Sequence, residues 1–481
     1  MNEVTHSTEP RTWAEEHFGD IPFSDIRRSE RAVTIAQAMA SNPGASIPQL
    51  FAHPYDTKAA YSFFAHPEAE PDLLQATHRS LVAEQMERPG TYLLIEDTTE
   101  LDWTGRERIE GLGPIGNSTV STQGVILHTV LGVRWPEGSA ATGQGRRPAV
   151  PVLGVCDQQY HIRVPRPPGE RRGDSWPKKK RKRESQIWQR ASVRIGPAPE
   201  RARWVRIGDA AADIYEHLRA CLALGYGFVI RSGQDRAVVG LEGRLQVGRL
   251  YETARAAACL GRFTIEIPAR RGHSARVATL SVSASPVRLR SPQRHGIGIG
   301  KLPPVPCTVV RVWEEQPTEQ GEALEWMLLC DAPVQSFAQA HTCALQYATR
   351  WVIEEYHKAL KTGLGAERLQ LKTAARLFAA VAIMSVVALR LVGLREQVRC
   401  MPDHPAEAAG LAPLELEVLR AASAGPLLTV RDVALAIGRL GGHLNRRQDG
   451  LPGWQTLWLG MKKLALLVEG VRLARQTNRF G

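Results

Sequence analysis

Short apolar segments that end in an aspartate constrain the fold of this chain more than any other feature of its sequence. They span residues 92–95, 149–155, 204–207 and 326–329, and they lead to Asp97, Asp157, Asp209 and Asp331. A helical pattern at 211–224 and another apolar segment at 227–230 lie between the third and the fourth. Short strands interleaved with helices predict a mixed α/β core.

The four aspartates are candidate site residues. An Asp just past the carboxyl end of a strand in an α/β sheet often lies at the mouth of a ligand site. Asp also caps helices and begins turns, so each of the four has a purely structural alternative. The pattern by itself does not decide which of them belong together.

The charge balance indicates a polyanionic partner. The 481 residues include 61 Lys and Arg against 49 Asp and Glu, a formal net charge of +12. Such an excess favours nucleic acid or an anionic membrane surface. The longest apolar run, 377–389, is shorter than the ~20 residues of a bilayer-spanning helix, so we expect a buried helix, a nucleic acid and no membrane partner.

The cysteines indicate the compartment. The seven cysteines contain no C-x-x-C pair, which argues against a zinc or thioredoxin-like site. We therefore expect reduced thiols in a cytosolic protein. The Ala-, Arg- and Gly-rich composition is bacterial in style, so the predicted location is the bacterial cytoplasm.

Two basic segments are candidate nucleic-acid contacts. Residues 11–71 show helical periodicity, with Asp25 as a candidate N-cap, and form a small basic helical module. Its alternative is a solvated Arg-rich face. The run from Lys178 to Arg183 has three interpretations: a nuclear localisation signal, a DNA-backbone contact or a solvated loop.

A four-residue pattern is more specific. Tyr347, Arg350, Glu354 and Lys361 lie in a predicted helix over 339–361. At 3.6 residues per turn they fall within an arc of roughly 60° along about 21 Å of helix. Such a row suits a phosphate backbone and a metal ion. The alternative is an exposed face with ion pairs such as Arg350–Glu354.

These four residues have the form Y-x2-R-x3-E-x6-K, which resembles the signature of the insertion-sequence-four family of DDE transposases. Residues 94–99 and 208–214 resemble the segments that carry that family's first and second catalytic Asp. Residues 324–329 resemble the strand whose Trp helps to receive a flipped base. Residues 25–28 and 58–63 resemble the N-terminal end-recognition module, and 453–458 the C-terminal dimerisation helices.

The resemblance implies a ribonuclease H-like α/β catalytic core with a β-rich insertion, plus helical N-terminal and C-terminal domains. The expected domains are 1–70, which binds DNA ends, 71–370, which is catalytic, and 371–481, which dimerises. The insertion is expected at about 234–323, where the sequence is Gly/Pro-rich with alternating strands.

The resemblance also assigns roles to residues. Asp97, Asp209 and Glu354 are implied to be catalytic and to hold two Mg²⁺ ions, which Mn²⁺ can replace. Hard oxygen ligands agree with those metals. The implied DNA contacts are at the scissile phosphate and the displaced base (Tyr347, Arg350, Lys361 and Trp326) and in the end-binding module (Arg27, Arg28, Lys58 and Tyr61). Arg231, at the end of the apolar segment 227–230, is a further candidate for a DNA contact.

The implied activity is cut-and-paste transposition by a homodimer on double-stranded DNA. A nick at the transposon end is followed by a hairpin, its opening, and joining to target DNA. The protein is expected to be nucleoid-associated when it is bound to DNA.

One departure keeps alternatives open. Close relatives have an Arg-Glu pair after the second Asp, where this chain has Ala210 and Ala211. A catalytically weak or inactive end-binding repressor is therefore the main alternative. A nuclease on the same fold is a third hypothesis, although it would need neither the N-terminal basic module nor the C-terminal Trp pair.

Overall fold

In a computed structural model, the protein is described over residues 10–116, 122–136, 148–164, 183–240, 246–267, 276–292, 302–315, 323–446 and 449–477. Of the Lys178–Arg183 run, only Arg183 lies within the described residues. All seven cysteines are free thiols.

The N-terminal region is helical, as predicted. It contains α1 (Pro10–Phe18), α2 (Ile26–Ser41), α3 (Ile47–Leu50), α4 (Pro54–Phe64), α5 (Pro71–Leu74) and α6 (Ala76–Met86). The Asp25 carboxylate caps α2 by accepting the Arg27 backbone N–H at 3.0 Å, which confirms the predicted cap. The apolar residues at helical spacing on α2, Ala32, Ile35, Ala36 and Met39, are all buried.

A single mixed sheet forms the centre of the molecule. Its strands are β1 (Gly90–Asp102), β2 (Gly124–Trp135), β3 (Val152–His161), β4 (Ala202–Gly208), β5 (Gly227–Arg231), β6 (Ala237–Val239), β7 (Gln246–Arg249), β8 (Cys259–Ile267), β9 (Arg276–Leu289), β10 (Val305–Glu314) and β11 (Glu325–Cys330). Their order is β3-β2-β1-β4-β5-β11-β10-β9-β6-β7, with β8 beside β9. Strands β1, β4 and β5 are parallel, and the other paired strands are antiparallel.

The strands within 234–323 extend the central sheet through β11. One feature of the sheet differs from the sequence expectation. Asp97 and Asp157 lie inside strands, because β1 and β3 both continue to pair with β2 beyond their apolar segments. Asp209 and Asp331 directly follow β4 and β11, as predicted.

Helices cover both faces of the sheet. On one face α7 (Ile187–Ile195), α8 (Tyr215–Ala223) and α9 (Leu250–Ala256) share a core with Leu94, Trp204 and Phe228. On the other, α10 (Phe337–Ala348), α11 (Trp351–Lys358) and α12 (Ala374–Cys400) share a core with Ile95, Val205 and Ile207. Neighbouring residues of a strand therefore pack into the cores on opposite faces of the sheet, as the alternation of side chains requires.

The predicted single helix over 339–361 is wrong in its continuity. α10 ends at Ala348 and α11 begins at Trp351, and a π-helical turn (Ala359–Gly363) follows α11. Between the helices the Arg350 N–H donates to the carbonyl of Tyr347, three residues back. The Thr349 hydroxyl donates to the Leu345 carbonyl at 2.9 Å, a contact that bends helices.

Helix α12 contains the longest apolar run. Among the described residues it is the one helix long and apolar enough to cross a membrane by length and composition. Of its most apolar window, 78% is buried inside the protein. Its side chains pack against β3 and several N-terminal helices, so the predicted buried helix is confirmed.

The C-terminal helices α13 (Pro413–Ala421), α14 (Val430–Leu440) and α15 (Trp454–Thr477) share a third core. The segment between α12 and α13 packs against the same core: Ala406, Ala409 and Leu411 are buried in it.

Candidate functional site

The register of the parallel strands aligns two of the candidate acids. Ile95 of β1 pairs with Ile207 of β4. Asp97 and Asp209 each lie two residues further on, so they are at the same level of adjacent strands. Gly208 pairs with Ile230 of β5, which brings Arg231 to that level on the third strand.

Arg350 joins two of the three candidate carboxylates. Its guanidinium lies 3.0 Å from Asp97 Oδ2 and 2.5 Å from Glu354 Oε1. The Arg350 side chain is only 13% exposed. Asp97, on the sheet face that α11 covers, and Glu354, on α11, are thus linked although 257 positions separate them in the sequence.

The acids influence one another electrostatically. Burial, followed by the negative charge of Asp209, raises the pKa of Asp97 to about 7. Glu354 acts in the same direction, and Arg350 opposes the shift. A partly buried group of carboxylates with this mutual repulsion would be stabilised by added positive charge.

The residues fit a hard divalent cation in charge and in donor chemistry, since all three acids offer carboxylate oxygens. Within the described ranges, no three His, Cys, Asp or Glu side chains converge as ligands of one ion. Asp97 and Glu354 are directed at the Arg350 guanidinium.

Asp209 is hydrogen-bonded within its own turn. It accepts the Ala211 backbone N–H at 2.8 Å and caps the short 3-10 turn Ala210–Ala212. Ala210 and Ala211 are both exposed. Neither methyl side chain can donate or accept a hydrogen bond beside Asp209.

Tyr347 differs from the expected DNA-facing position, because it is 4% exposed. Arg231 is hydrogen-bonded to it and lowers its pKa, although burial raises that pKa overall. Trp326 packs edge-on against the Tyr347 ring with centroids 5.2 Å apart. These three residues form an aromatic and basic group beside the acids.

Lys361 lies in the π-helical turn. Its ammonium donates to the Glu100 carbonyl of β1 at 2.7 Å and pairs with Glu367 at 3.1 Å. Glu367 also accepts the Asp102 backbone N–H at 3.0 Å. The turn is therefore tied to the end of β1. Of the row of four residues, Arg350, Glu354 and Lys361 are ion-paired and Tyr347 is buried, so the row is not a free helix face.

The other two strand aspartates lie elsewhere. Asp157 is buried and pairs with Arg194 at 2.8 Å. Asp331 accepts the Phe228 N–H at 2.8 Å and pairs with Arg203. Both satisfy structural partners away from Asp97, which agrees with their structural alternative.

Sequence reasoning missed a buried cluster behind the acids. Glu96 is fully buried and accepts from Arg206 and from His217 Nε2, the latter at 2.8 Å. His128 Nε2 lies 3.6 Å from the same carboxylate. Burial would raise the pKa of Glu96, but Arg206 and His217 hold it well below its usual range. The only sequence signal was Glu96 itself, beside Asp97.

The four candidates of the N-terminal module lie in two places. Arg27 is exposed and pairs with Asp25, while Arg28 pairs with Glu68 at 3.0 Å. Lys58 and Tyr61 line an open groove of about 420 Å³, whose far wall is formed by Arg376 of α12. Arg376 was not a sequence candidate.

Comparisons with known families match the two ends of the chain. Residues 10–69 match a family model described as transposase DNA-binding. Residues 419–481 match one described as the transposase Tn5 dimerisation domain. Together the matches support a Tn5-like DNA transposase that binds DNA and forms a homodimer.

Proposed function

We propose that this protein is a cut-and-paste DNA transposase that acts as a homodimer on paired transposon ends. The observation that carries the proposal is the level alignment of Asp97 and Asp209 at adjacent parallel strands, with Glu354 joined to Asp97 through Arg350. The two terminal family matches support the same function.

The fold proposal is a ribonuclease H-like core. The order β3-β2-β1-β4-β5, with β1, β4 and β5 parallel, supports it. Membership of the insertion-sequence-four family is proposed on the four-residue signature from Tyr347 to Lys361. We also place the activity in the bacterial cytoplasm, on nucleoid DNA.

Asp97, Asp209 and Glu354 would hold Mg²⁺ or Mn²⁺, two ions per site, which would stabilise charge on the attacking and leaving oxygens. Arg350 holds Asp97 and Glu354 in place and offsets their repulsion. Lys361, anchored on β1, would present its charge to a phosphate of the scissile strand.

The aromatic group would receive a displaced base. Trp326 is partly buried and rests on Tyr347, so one ring is held in a fixed place beside the acids. Stacking of a base on such a ring contributes about 1–3 kcal/mol and tolerates any sequence. Arg231 would contact the adjoining backbone.

End binding would use the N-terminal module. Arg27 is 83% exposed, and Lys58 and Tyr61 face an open groove. Arg28 would have to exchange Glu68 for a phosphate. Transposon-end and target duplexes are the proposed DNA partners.

The decisive experiment is strand cleavage of a labelled duplex that carries the end of the protein's own element. We expect a nick at the end and then a hairpin, with Mg²⁺ or with Mn²⁺. Glu354→Ala should remove both products. Glu355→Ala is the matched control, since Glu355 is the next residue of α11 but pairs with Arg395.

A repressor that binds ends without cutting is the second candidate. The exposed methyl groups of Ala210 and Ala211 favour it, because they give Asp209 no polar support. End binding by the wild type without metal-dependent cleavage would establish the repressor and overturn the transposase.

A further inference from the structure

The buried cluster of Glu96, Arg206, His217 and His128 lies directly behind the acids. Glu96 precedes Asp97 on β1, and Arg206 lies three residues before Asp209 on β4. Their side chains occupy the sheet face opposite to Asp97, because neighbouring strand residues alternate. Asp97 therefore lies on a strand that carries one member of this cluster, and Asp209 directly follows a strand that carries another.

The cluster bridges the two strands that carry Asp97 and Asp209. Arg206 donates from β4 to Glu96 of β1. His217 Nε2, from α8, reaches the second Glu96 oxygen at 2.8 Å. Arg206 also lies over the Tyr226 ring, 5.8 Å from its centroid. Glu96, Arg206 and His217 are all fully buried, so these bonds are shielded from water.

This bridge differs from an ordinary core contact. Burying charged groups costs several kcal/mol per ion, and apolar residues of similar volume often stabilise a core as well or better. Both oxygens of Glu96 are bonded, although Arg206 Nε and Nη1 have no hydrogen-bond partner among the described residues. What a buried network of this kind adds is a defined geometry at Glu96. That property matters where two strand positions must keep a fixed separation.

On the front of the site, the described residues give the Asp209 carboxylate no equivalent support. The side chains of Ala210 and Ala211 are methyl groups and are exposed, and among the described residues the Asp209 carboxylate accepts only the Ala211 backbone N–H of its own turn. Contacts that fix the position of β4 relative to β1 therefore have to come from residues of the strands themselves.

We propose that Glu96, Arg206 and His217 are positioning residues that lock β1 to β4 and so set the spacing of Asp97 and Asp209. This inference rests on the proposed function, since it assigns the cluster to the metal-dependent acids. None of the three residues would touch DNA or metal. They would act by holding the two carboxylates in the arrangement that binds the ions.

The test compares two buried carboxylates. Glu96→Gln keeps the shape and removes the charge from the cluster. Asp157→Asn is the matched control, because Asp157 is equally buried and ion-paired but lies on β3, two strands from β1. Each variant is examined by thermal unfolding, by calorimetric Mn²⁺ titration, by end-DNA binding and by nicking.

We expect both variants to lose thermal stability. Only Glu96→Gln should weaken Mn²⁺ binding, by roughly tenfold to a hundredfold, the range seen when residues that orient metal ligands are replaced. Its nicking rate should fall in parallel, and its affinity for end DNA should stay within about twofold of the wild type. Equal Mn²⁺ affinity and nicking in the two variants would overturn the inference.

A second variant, His217→Leu, keeps the proposal testable if Glu96→Gln does not fold. His217→Leu removes one bond to Glu96 but leaves the Glu96–Arg206 pair, and it should weaken Mn²⁺ binding less than Glu96→Gln. An unchanged Mn²⁺ affinity in folded His217→Leu would remove His217 from the proposal. If wild-type protein neither binds Mn²⁺ nor nicks DNA, the proposed function fails; if it does both and Glu96→Gln matches it, only the positioning role fails.

Discussion

At the scale of single residues, Arg350 is the most informative side chain. One guanidinium contacts two candidate metal ligands that come from different elements. An arginine suits this place because its planar fork binds two carboxylates at once and always carries its charge. In the protein without metal, Arg350 supplies the positive charge that the acids require.

Replacing Arg350 with Ala should therefore destabilise the protein, because it removes the positive charge that lies between Asp97 and Glu354. The unfolding free energy should fall by about 2 kcal/mol without divalent ions, less than the ~3–5 kcal/mol for breaking a fully buried pair, because Glu354 is 34% exposed. Mg²⁺ should raise the melting temperature of this variant more than that of the wild type. Arg395→Ala, which leaves Glu355 unpaired, is the control and should show no extra Mg²⁺ response. An equal Mg²⁺ effect in wild type and Arg350→Ala would contradict the prediction.

His217 gives a pH prediction at the same scale. Burial opposes its protonation, but Cys221 and the Glu96 carboxylate beside it raise its pKa to about 9 from an ordinary 6.5. A raised folded-state pKa stabilises the fold fully below about pH 6.5, and this contribution is lost as pH rises through 9. The loss should be about 3 kcal/mol. Urea unfolding from pH 6 to 9.5 should show this slope in the wild type and a smaller one in His217→Leu; identical slopes would refute the assignment.

At the scale of elements, the segment after Glu354 depends on an unusual backbone. The π-helical turn carries Lys361 to β1, and Gly365, two residues after this turn, begins the 3-10 turn Ala366–Arg368 with a positive φ of 73°. A Cβ at Gly365 would lie 2.4 Å from the Arg368 side chain. Glycine is required here because other L-residues are strained in the left-handed region.

Gly365→Ala should consequently reduce the unfolding free energy by about 1–2 kcal/mol. Gly393→Ala is the matched comparison, since Gly393 lies inside α12 with open space around it. There the change should stabilise the protein by about 0.5–1 kcal/mol. Denaturant unfolding measures the change in unfolding free energy for both variants. Changes of the same sign would show that the backbone conformation at the two glycines does not decide these effects.

At the scale of the whole molecule, α15 presents an apolar surface. Leu459, Leu466 and Leu473 recur every seven residues and are 44%, 64% and 57% exposed. They lie in the region that matches the dimerisation domain. Residues seven apart lie close to one face of a helix, so this surface suits a second copy of the chain.

Leu466→Glu should therefore weaken the dimer by at least tenfold, because it places a charge in the centre of that apolar row. Sedimentation of the protein with end DNA reports the change. Val193→Glu, at a similarly exposed apolar residue of α7, should leave the dimer intact. A dimer unaffected by Leu466→Glu would place the interface on another face.

Local interactions explain what the sequence alone determined about this protein. Several features depend on neighbours only a few residues away in the sequence. They are the N-cap at Asp25, the apolar face of α2, the strand segments and the aspartates after β4 and β11. Helix and strand periodicities record such neighbours directly, and the end modules were recognisable by their motifs.

The family resemblance selects Asp97, Asp209 and Glu354 from the sequence, but only the tertiary structure decided how these acids are arranged. The register of β1 against β4 sets Asp97 level with Asp209, and Arg350 links Asp97 to Glu354 across 257 positions of sequence. The sequence likewise did not reveal the burial of Tyr347, the break in the helix at Arg350 or the Glu96–Arg206–His217 cluster. Pairing, burial and charge interactions of this kind join distant segments, and no local pattern encodes the partner or its distance.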